Sequence, residues 1–302
     1  MHEPVLVEEI IGCLEPKPGD VVVDGTANGG GHMRAILPHI FPGGKYVAVD
    51  WDKKIVDKLS DEFQKSEYWP NIIFVNDNYK NIPMILRSHS INAADKALLD
   101  LGFSSFHIEE SGRGFSFQKD EPLEMTYSKD ERPLHEWLKH LSETRLAEII
   151  REFGEERYAG RIARAIKSAL PIETSGKLAE VIVRAVPRNY ERGRINPATR
   201  TFQALRIFAN KEMENLEIFL KALPEILNNG GRAAIITFHS LEDRLVKIAF
   251  RNLISAPQPS SGSSTKTAFR LVTKKPVVSS ESEIVRNPRA RSAKLRVIEK
   301  LA

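Results

Sequence analysis

Short apolar stretches recur through the first third of the chain, and each ends on or near Asp, Asn or Gly. They cover residues 21–26, 45–50, 71–77 and 96–102, and they are rich in β-branched residues or leucine. Helical periodicity separates the first three, as in KIVDKLSDEFQ from Lys54. Strands that alternate with helices in this way predict a mostly parallel sheet with helices on both faces.

This alternation stops after Gly102. From about Leu134 to Phe219 the apolar positions follow helical spacing, as in RLAEIIREFG and RYAGRIARAIKSAL. Strand signals then return near the end of the chain, at residues 230–240, 269–274 and 293–300. The fold class that this pattern predicts is therefore α/β with an inserted helical segment.

The simplest domain organisation is one core interrupted by one insertion. The core would be an α/β domain made of residues 1–106 and 207–302, and residues 107–206 would be an all-helical insertion. Residues 255–266, SAPQPSSGSSTK, are rich in Ser, Pro and Gly and predict a flexible loop.

The first predicted strand leads into a glycine-rich loop, DGTANGGGH, and then into a helical pattern. Open parallel sheets bind ligands at this edge. A phosphate-binding loop would need Lys-Ser or Lys-Thr after its last glycine, and none follows. A dinucleotide fingerprint could start at Gly29 and Gly31, but Arg34 stands where its third glycine belongs. The remaining ligand class is S-adenosylmethionine.

Acidic residues follow successive predicted strands, with Asp24 after the first, Asp50 after the second and Asp77 after the third. A carboxylate after the second strand can accept hydrogen bonds from both ribose hydroxyls. Tyr79, after the third strand, offers an aromatic face to adenine. We therefore predict that Asp24, Asp50 and Tyr79 bind the cofactor. The alternative is that the glycines only form turns and the acids only cap helices.

The fourth predicted strand ends in LLDLGFSS, which resembles loosely the transfer motif of aminomethyltransferases. Asp100 would accept an N–H bond from an exocyclic amine, whose lone pair is otherwise delocalised into the base. Phe103 would stack on that base. The protein's main tasks would then be alignment and electrostatic preorganisation. The alternative is a plain strand end with Phe103 in the core.

Several motifs spread over nearly the whole chain carry a family resemblance. They are HEPVLVEE, DGTANGGGH, LLDLGFSS, RGFSF, FGEERYAGRIARAI, PATRTFQALRI, GGRAAIITFHSLEDRLVK and NPRARSAKLR. Together they resemble the bacterial 16S ribosomal RNA cytosine-N4 methyltransferases, the MraW or RsmH family. The resemblance implies a Rossmann-like, S-adenosylmethionine-dependent enzyme that methylates one cytidine in the decoding region of the small ribosomal subunit, and hence a cytoplasmic protein.

The resemblance also implies which residues contact the cofactor. They are Gly30, Gly31, His32, Asp50, Tyr79 and Asp100. The next family contact is usually a Gln, and His107 stands at its position. A second departure is PLEMTY at residues 122–127, where the family pattern reads more like P-L-D-M-R-M. Glu124 keeps the acid there, whereas Thr126 replaces the arginine.

Positive charge concentrates in the predicted insertion. Between Arg145 and Arg206 the chain has 13 Lys and Arg against 7 Glu and no Asp, whereas the net charge of the whole chain is only +4. A basic block of this kind suits an anionic partner such as nucleic acid, and the alternative is a solvated, ion-paired helical surface. In RYAGRIARAIK, helical spacing predicts that Arg157, Arg161 and Arg164 lie on one helix face. The apolar positions of the same helix that can face the core are Ile162, Ala165, Ile166 and Ala169. The candidate RNA-binding residues are Arg157, Arg161, Arg164, Arg200, Arg289 and Arg291.

Other features exclude several classes of protein. The single cysteine, Cys13, excludes an internal disulfide and fits a reducing cytosol, and no apolar run is long enough to span a bilayer. His135 and His140 are too far apart to share one helix face, so no metal site is predicted. The predicted partner is 16S ribosomal RNA within the small subunit, and a homodimer is one candidate oligomeric state. The alternatives are a non-catalytic RNA-binding assembly factor and a nucleotide-dependent oxidoreductase.

Overall fold

The structure is a computed structural model that describes residues 4–102, 105–193, 195–255 and 268–302. The chain divides into two compact units, which we call the core unit (residues 1–102 and 213–302) and the helical unit (residues 103–212). The sequence placed these boundaries at 106/107 and 206/207. The second boundary lies further along because Arg206 pairs with Glu212 inside the helical unit, so the turn after residue 206 stays with that unit.

The described residues form eight strands and thirteen α-helices. The strands are β1 (Val21–Asp24), β2 (Lys45–Asp50), β3 (Ile72–Asn76), β4 (Ala94–Asp100), β5 (Leu227–Thr237), β6 (Phe269–Leu271), β7 (Val277–Val278) and β8 (Lys294–Lys300). The helices are α1 (Val7–Leu14), α2 (Gly31–Ile40), α3 (Lys53–Phe63), α4 (Ile82–Ser88), α5 (Ser105–Glu109), α6 (Leu134–His140), α7 (Glu143–Gly154), α8 (Ala159–Ser168), α9 (Ser175–Ala185), α10 (Ala198–Ala209), α11 (Glu212–Ile226), α12 (Ser240–Ser255) and α13 (Glu281–Arg286).

All eight strands join one sheet in the core unit, in the order β3-β2-β1-β4-β5-β8-β6, with β7 also pairing β8. Strands β1 to β5 run parallel to one another, and β8 runs antiparallel to β5. The chain builds the sheet outwards from β1 to β3 and then crosses back to β4, so the strand order reverses between β1 and β4. Ligands bind at the carboxyl ends of strands at such a point. The predicted α/β, Rossmann-like fold class is confirmed.

The central strands read as continuous apolar runs because both faces of the sheet are covered. Val22 and Val23 in β1 and Leu98 and Leu99 in β4 are at most 1% exposed. The same burial explains why the sequence alone predicts these strands. A run of β-branched residues and leucines has no polar face to offer to solvent.

The helical unit has a hydrophobic core of its own, built on the inner faces of α6 to α10. Helix α8 buries Ile162, Ala163 and Ile166, whereas the predicted core position Ala165 is only partly buried. The helix begins at Ala159. Arg157 therefore lies in the turn before the helix, and the expected arginine face at positions 157, 161 and 164 is not continuous.

The predicted end of β5 was wrong by a few residues, for a local reason. The sequence placed this strand at residues 230–240, but β5 ends at Thr237. The next two backbone N–H groups, of Phe238 and His239, donate to the carboxylate of Glu242 at 2.8 and 3.3 Å. They therefore turn towards helix α12 instead of continuing the strand.

Two further sequence expectations concern loops and membranes. The strand predicted at residues 269–274 is shorter in the structure, at Phe269–Leu271. Most of the predicted flexible loop at 255–266 falls outside the described residues. Within the described ranges, no helix is both long enough and apolar enough to cross a membrane.

Candidate active site

Asp24 ends β1 and is buried, with 1% of its surface exposed. One carboxylate oxygen accepts the Thr26 N–H at 3.0 Å, and the other accepts the Tyr46 hydroxyl at 2.7 Å. Burial raises the pKa of Asp24 to about 6, although these hydrogen bonds oppose the rise. Both oxygens thus already bind protein groups that shape the glycine loop. Direct contact between Asp24 and the cofactor stays a prediction.

The glycine loop joins the ends of three adjacent strands. Its Ala27 N–H donates to the carbonyl of Val49 in β2 at 2.9 Å, and the Thr26 hydroxyl accepts the N–H of Asp100 in β4 at 2.6 Å. The Asn28 side chain donates to the Asp100 carbonyl at 3.2 Å. Asn28 and Gly30 have φ values of 47° and 73°, in the left-handed region that Asn and Gly adopt most easily. These contacts fix the loop before any ligand arrives.

Two glycines in the loop are needed because their neighbours leave no room for a side chain. A Cβ atom at Gly25 would lie 2.5 Å from Leu99 Cδ2 and 2.8 Å from Tyr79 Cβ. A Cβ atom at Gly31 would lie 2.6 Å from Pro4 Cγ. Gly31 was predicted from the family motif. Gly25 was not predicted as a site residue, although its place directly after Asp24 is a signal that could have found it.

Asp50 ends β2 and is also buried. Its carboxylate accepts the N–H of Asn28 at 2.8 Å and the N–H of Asp52 at 2.9 Å. Burial raises the pKa of Asp50 to about 7, and the two backbone hydrogen bonds hold it from rising further. Each carboxylate oxygen can accept a second hydrogen bond, so both remain able to receive ribose hydroxyls.

Asp100 and His32 form a buried pair at the sheet's switch point. His32 Nε2 lies 3.5 Å from Asp100 Oδ2, and the two residues are 5% and 6% exposed. Within the described part of the chain, Asp100 Oδ1 and both ring nitrogens of His32 have no hydrogen-bond partner. Buried polar atoms are normally paired. These three atoms can therefore bind a ligand with amine or hydroxyl groups, which S-adenosylmethionine carries and which the exocyclic amine predicted from the sequence also provides.

A further polar group follows β3. The Asn78 side chain accepts the Lys80 N–H at 3.0 Å through Oδ1, while its buried Nδ2 has no partner among the described residues. Asp77 accepts the Asn78 N–H and the Asn81 side chain, each at 2.7 Å. The Tyr79 ring packs edge-on against Phe219, 6.0 Å between centroids. Asp77 and Tyr79 were singled out from the sequence of this stretch, whereas the Asn78 amide was not predicted.

Two predicted site residues lie elsewhere. Phe103 lies outside the described residues. His107 belongs to the helical unit, where it is 2% exposed and its ring lies 5.1 Å from that of Phe115 and 5.0 Å from that of Tyr127. Contact between His107 and the cofactor stays a prediction.

The predicted RNA-binding arginines occur in both units. In the helical unit, Arg157 and Arg161 lie against a tyrosine ring, and Arg164 pairs with Glu143 at 3.3 Å. Arg200 is partly exposed on α10. In the core unit, Arg289 and Arg291 lie in a short turn at residues 288–292, and Arg291 is exposed. RNA contact at all six stays a prediction.

The sequence matches the MraW methylase family over residues 1–301. The chain belongs to this family. It is 43% identical over 309 aligned positions to "Ribosomal RNA small subunit methyltransferase H" of Anaeromyxobacter sp. (strain K), covering 99% of this chain and 98% of the relative. It is also 43% identical to the protein of that name from Deinococcus radiodurans, covering 100% and 90%. A ribosomal RNA methylase structure from Streptococcus thermophilus is similar with a TM-score of 0.42 and 12% identity, covering 100% and 99%.

Family membership makes this chain a methyltransferase. It also confirms the cofactor prediction, S-adenosylmethionine. The residues present fit that cofactor. The buried polar atoms without partners among the described residues include those of His32, just after the glycine loop, of Asn78, after β3, and of Asp100, at the end of β4. Asp50 ends the neighbouring strand β2. A bound S-adenosylmethionine would therefore supply hydrogen-bond partners for buried polar atoms of the core unit that have none among the described residues.

Proposed function

We propose that this protein transfers a methyl group from S-adenosylmethionine to N4 of a cytidine in the decoding region of 16S ribosomal RNA. The observation that carries the proposal is the Asp100 carboxylate, which is buried at the end of β4 with Oδ1 free of hydrogen bonds within the described residues. The names of the relatives support ribosomal RNA of the small subunit as the substrate. A cytoplasmic location follows from that substrate.

Asp100 would orient the amine that is methylated. The cytosine amine is a weak nucleophile because its lone pair is delocalised into the ring. A carboxylate that accepts a hydrogen bond from one of the amine's N–H groups pushes electron density back onto the nitrogen. It then receives the proton as the N–C bond forms. His32, 3.5 Å from Oδ2, would stabilise the charge of Asp100 before the proton arrives. When bound, S-adenosylmethionine supplies an electrophilic methyl group whose sulfonium charge disappears on transfer.

The remaining site residues would hold the cofactor in line. The Asp50 carboxylate would accept the ribose hydroxyls, and the close approach allowed at Gly30 and Gly31 would admit the cofactor to the loop backbone. Asn28 links these functions, since its N–H binds Asp50 and its side chain binds the Asp100 carbonyl. Alignment of this kind supplies a large part of the rate in transfers between bound groups.

The RNA would be held by positive charge outside the cofactor loop. The target cytidine must leave its base stack to meet the methyl group, which costs a few kcal/mol unless the base is already unpaired. The arginines of the helical unit would contribute phosphate contacts. If about six phosphates are contacted, the logarithm of the affinity should fall with the logarithm of salt concentration with a slope of roughly −4 to −5.

The test is methyl transfer from isotopically labelled S-adenosylmethionine to small subunits and to free 16S ribosomal RNA, both from cells lacking the enzyme. Nucleoside mass spectrometry identifies the product. We expect labelled N4-methylcytidine with the wild-type protein and with Asp57→Ala, a control for loss of one exposed carboxylate on α3. Asp100→Ala should still bind the cofactor and yield no label.

Other outcomes would redirect the proposal. Label on another atom or another nucleoside would overturn the N4-cytidine assignment. No label on either substrate, with S-adenosylmethionine still bound, would favour a non-catalytic assembly factor. Binding of NAD more tightly than S-adenosylmethionine would favour an oxidoreductase.

A further inference from the structure

A tyrosine and two arginines form a compact surface at the start of helix α8. The guanidinium carbon of Arg157 lies 4.8 Å from the centre of the Tyr158 ring, and that of Arg161 lies 5.9 Å from it. Both arginines are exposed and the tyrosine is partly buried. We call these three residues the tyrosine–arginine platform.

A buried acid, Glu156, fixes the backbone of the platform. Glu156 is 0% exposed, and its carboxylate accepts the Tyr158 N–H at 2.7 Å and the hydroxyl of Tyr190. Tyr190 is itself 3% exposed, and the two tyrosine rings lie 6.0 Å apart at 49°. Glu156 thus fixes the backbone of Tyr158, and the Tyr190 ring packs against its side chain. Because Tyr158 is already ordered, it loses little conformational freedom when a ligand stacks on it, which favours binding.

The two arginines of the platform differ from their neighbours in charge pairing. Among the described residues, no carboxylate lies within 4.0 Å of either Arg157 or Arg161. Other arginines of the helical unit do have such partners, such as Arg145 with Glu148 at 2.9 Å and Arg184 with Glu180. A guanidinium that lies against an aromatic ring keeps its charge and its outer face available for a ligand.

Resting on the proposed function, we infer that the tyrosine–arginine platform binds an unpaired nucleotide of the RNA substrate. A base would stack on the Tyr158 ring or on the guanidinium plane that covers it, and the flanking phosphates would bind Arg157 and Arg161. Single-stranded RNA is the partner that matches, because it exposes both a flat aromatic face and a negative backbone. A duplex hides its base faces, and an acidic peptide offers charge without a ring.

Fluorescence anisotropy with a labelled single-stranded RNA and its duplex, titrated with the full-length protein at several salt concentrations, tests the inference. Tyr158→Leu should weaken single-strand binding about tenfold. It should leave the salt slope unchanged, because no charge is lost. Tyr158→Phe should bind as the wild type does. Arg157→Ala and Arg161→Ala should each reduce the size of the salt slope by about 0.7.

Arg184→Ala is the matched control, because Arg184 is an exposed, ion-paired arginine of the same unit. Thermal unfolding separates loss of the platform from loss of the fold, and Arg157→Ala removes only an exposed side chain. Equal binding by Tyr158→Leu and wild type would overturn the inference. So would equal effects of Arg157→Ala and Arg184→Ala, or a wild-type preference for the duplex. Weaker binding to assembled subunits alone, with naked RNA unaffected, would point instead to a ribosomal protein.

The two proposals can fail separately. If the wild type methylates small subunits and Tyr158→Leu has the same KM, the platform is refuted and the proposed reaction stands. If Tyr158 determines single-strand binding and no substrate is methylated, the platform stands and the reaction is refuted.

Discussion

Binding of S-adenosylmethionine should weaken as the pH falls below about 7, because Asp50 must be ionised to accept two ribose hydroxyls. Burial raises the pKa of this carboxyl to about 7 in the ligand-free protein. With that pKa, roughly nine-tenths of the molecules carry an ionised Asp50 at pH 8 and roughly one-tenth at pH 6. The apparent dissociation constant is divided by the competent fraction, so affinity should fall about tenfold between pH 8 and pH 6.

Isothermal titration calorimetry measures both the affinity and the proton that is released. At pH 7 about half a proton should leave the protein for each cofactor bound, seen by comparing two buffers of different ionisation enthalpy. Asp50→Asn is the key variant. It keeps the side chain's size and one acceptor oxygen, loses the ionisation, and should bind the cofactor more weakly at pH 8 with a flatter pH profile.

The comparison between wild type and Asp50→Asn isolates this carboxyl. Titration of the cofactor's own amino group, and of Asp24 with its pKa of about 6, contributes equally to both proteins. Equal wild-type affinity at pH 6 and pH 8 would contradict the argument. A tenfold fall that persists in Asp50→Asn would place the titrating group elsewhere.

Three further changes have calculable effects on stability. Glu212→Ala should cost about 3–5 kcal/mol in urea unfolding, because it removes the carboxylate that binds the buried guanidinium of Arg206 at 2.8 and 3.0 Å. Gly25→Ala should cost about 1–3 kcal/mol and weaken cofactor binding, because its Cβ would overlap its neighbours. The free energy of unfolding of the ligand-free protein should fall as the pH rises from about 4 to about 8, then level off. The raised pKa values of Asp24 and Asp50 make the folded state bind protons more tightly than the unfolded state.

Matched variants control these measurements. Glu180→Ala removes an exposed partner of Arg184 and should change stability little, since exposed ion pairs contribute little. Gly160→Ala adds a methyl group with nothing within 4 Å and should be tolerated. If Glu212→Ala lost no more stability than Glu180→Ala, or Gly25→Ala no more than Gly160→Ala, burial of the site would not be the cause of the loss. For the pH series, Asp50→Asn should lose about 4 kcal/mol less than wild type between pH 4 and pH 8, and an unchanged slope would refute the sign.

The sheet and the acidic strand ends could be read from the sequence because burial on both faces leaves a continuous apolar run that stops at the ligand edge. Asp50 and Asp100 stand directly after such runs. The end of β5 could not be read, because it depends on a side-chain acceptor in the following helix, as the capping of His239 by Glu242 shows. The Asn78 amide was missed because a single polar residue in a turn carries no periodicity.

The tyrosine–arginine platform was missed for a different reason. Helical spacing in the sequence predicts that α8 extends back through Arg157, whereas Glu155 has a φ of 49° and interrupts the helical backbone before the helix starts. The position of Arg157 depends on this break. Its contact with Tyr158 is therefore a consequence of the turn, and helical spacing alone could not predict it.

The hydrophobic cores of the two units share no residue among those described. A substitution within one of these two cores therefore changes the packing among residues of that same core. The chain passes between the units only at 102/103 and 212/213. Exchanging residues 103–212 between family members would measure how far the two units vary independently, with cofactor binding by the hybrid protein as the readout.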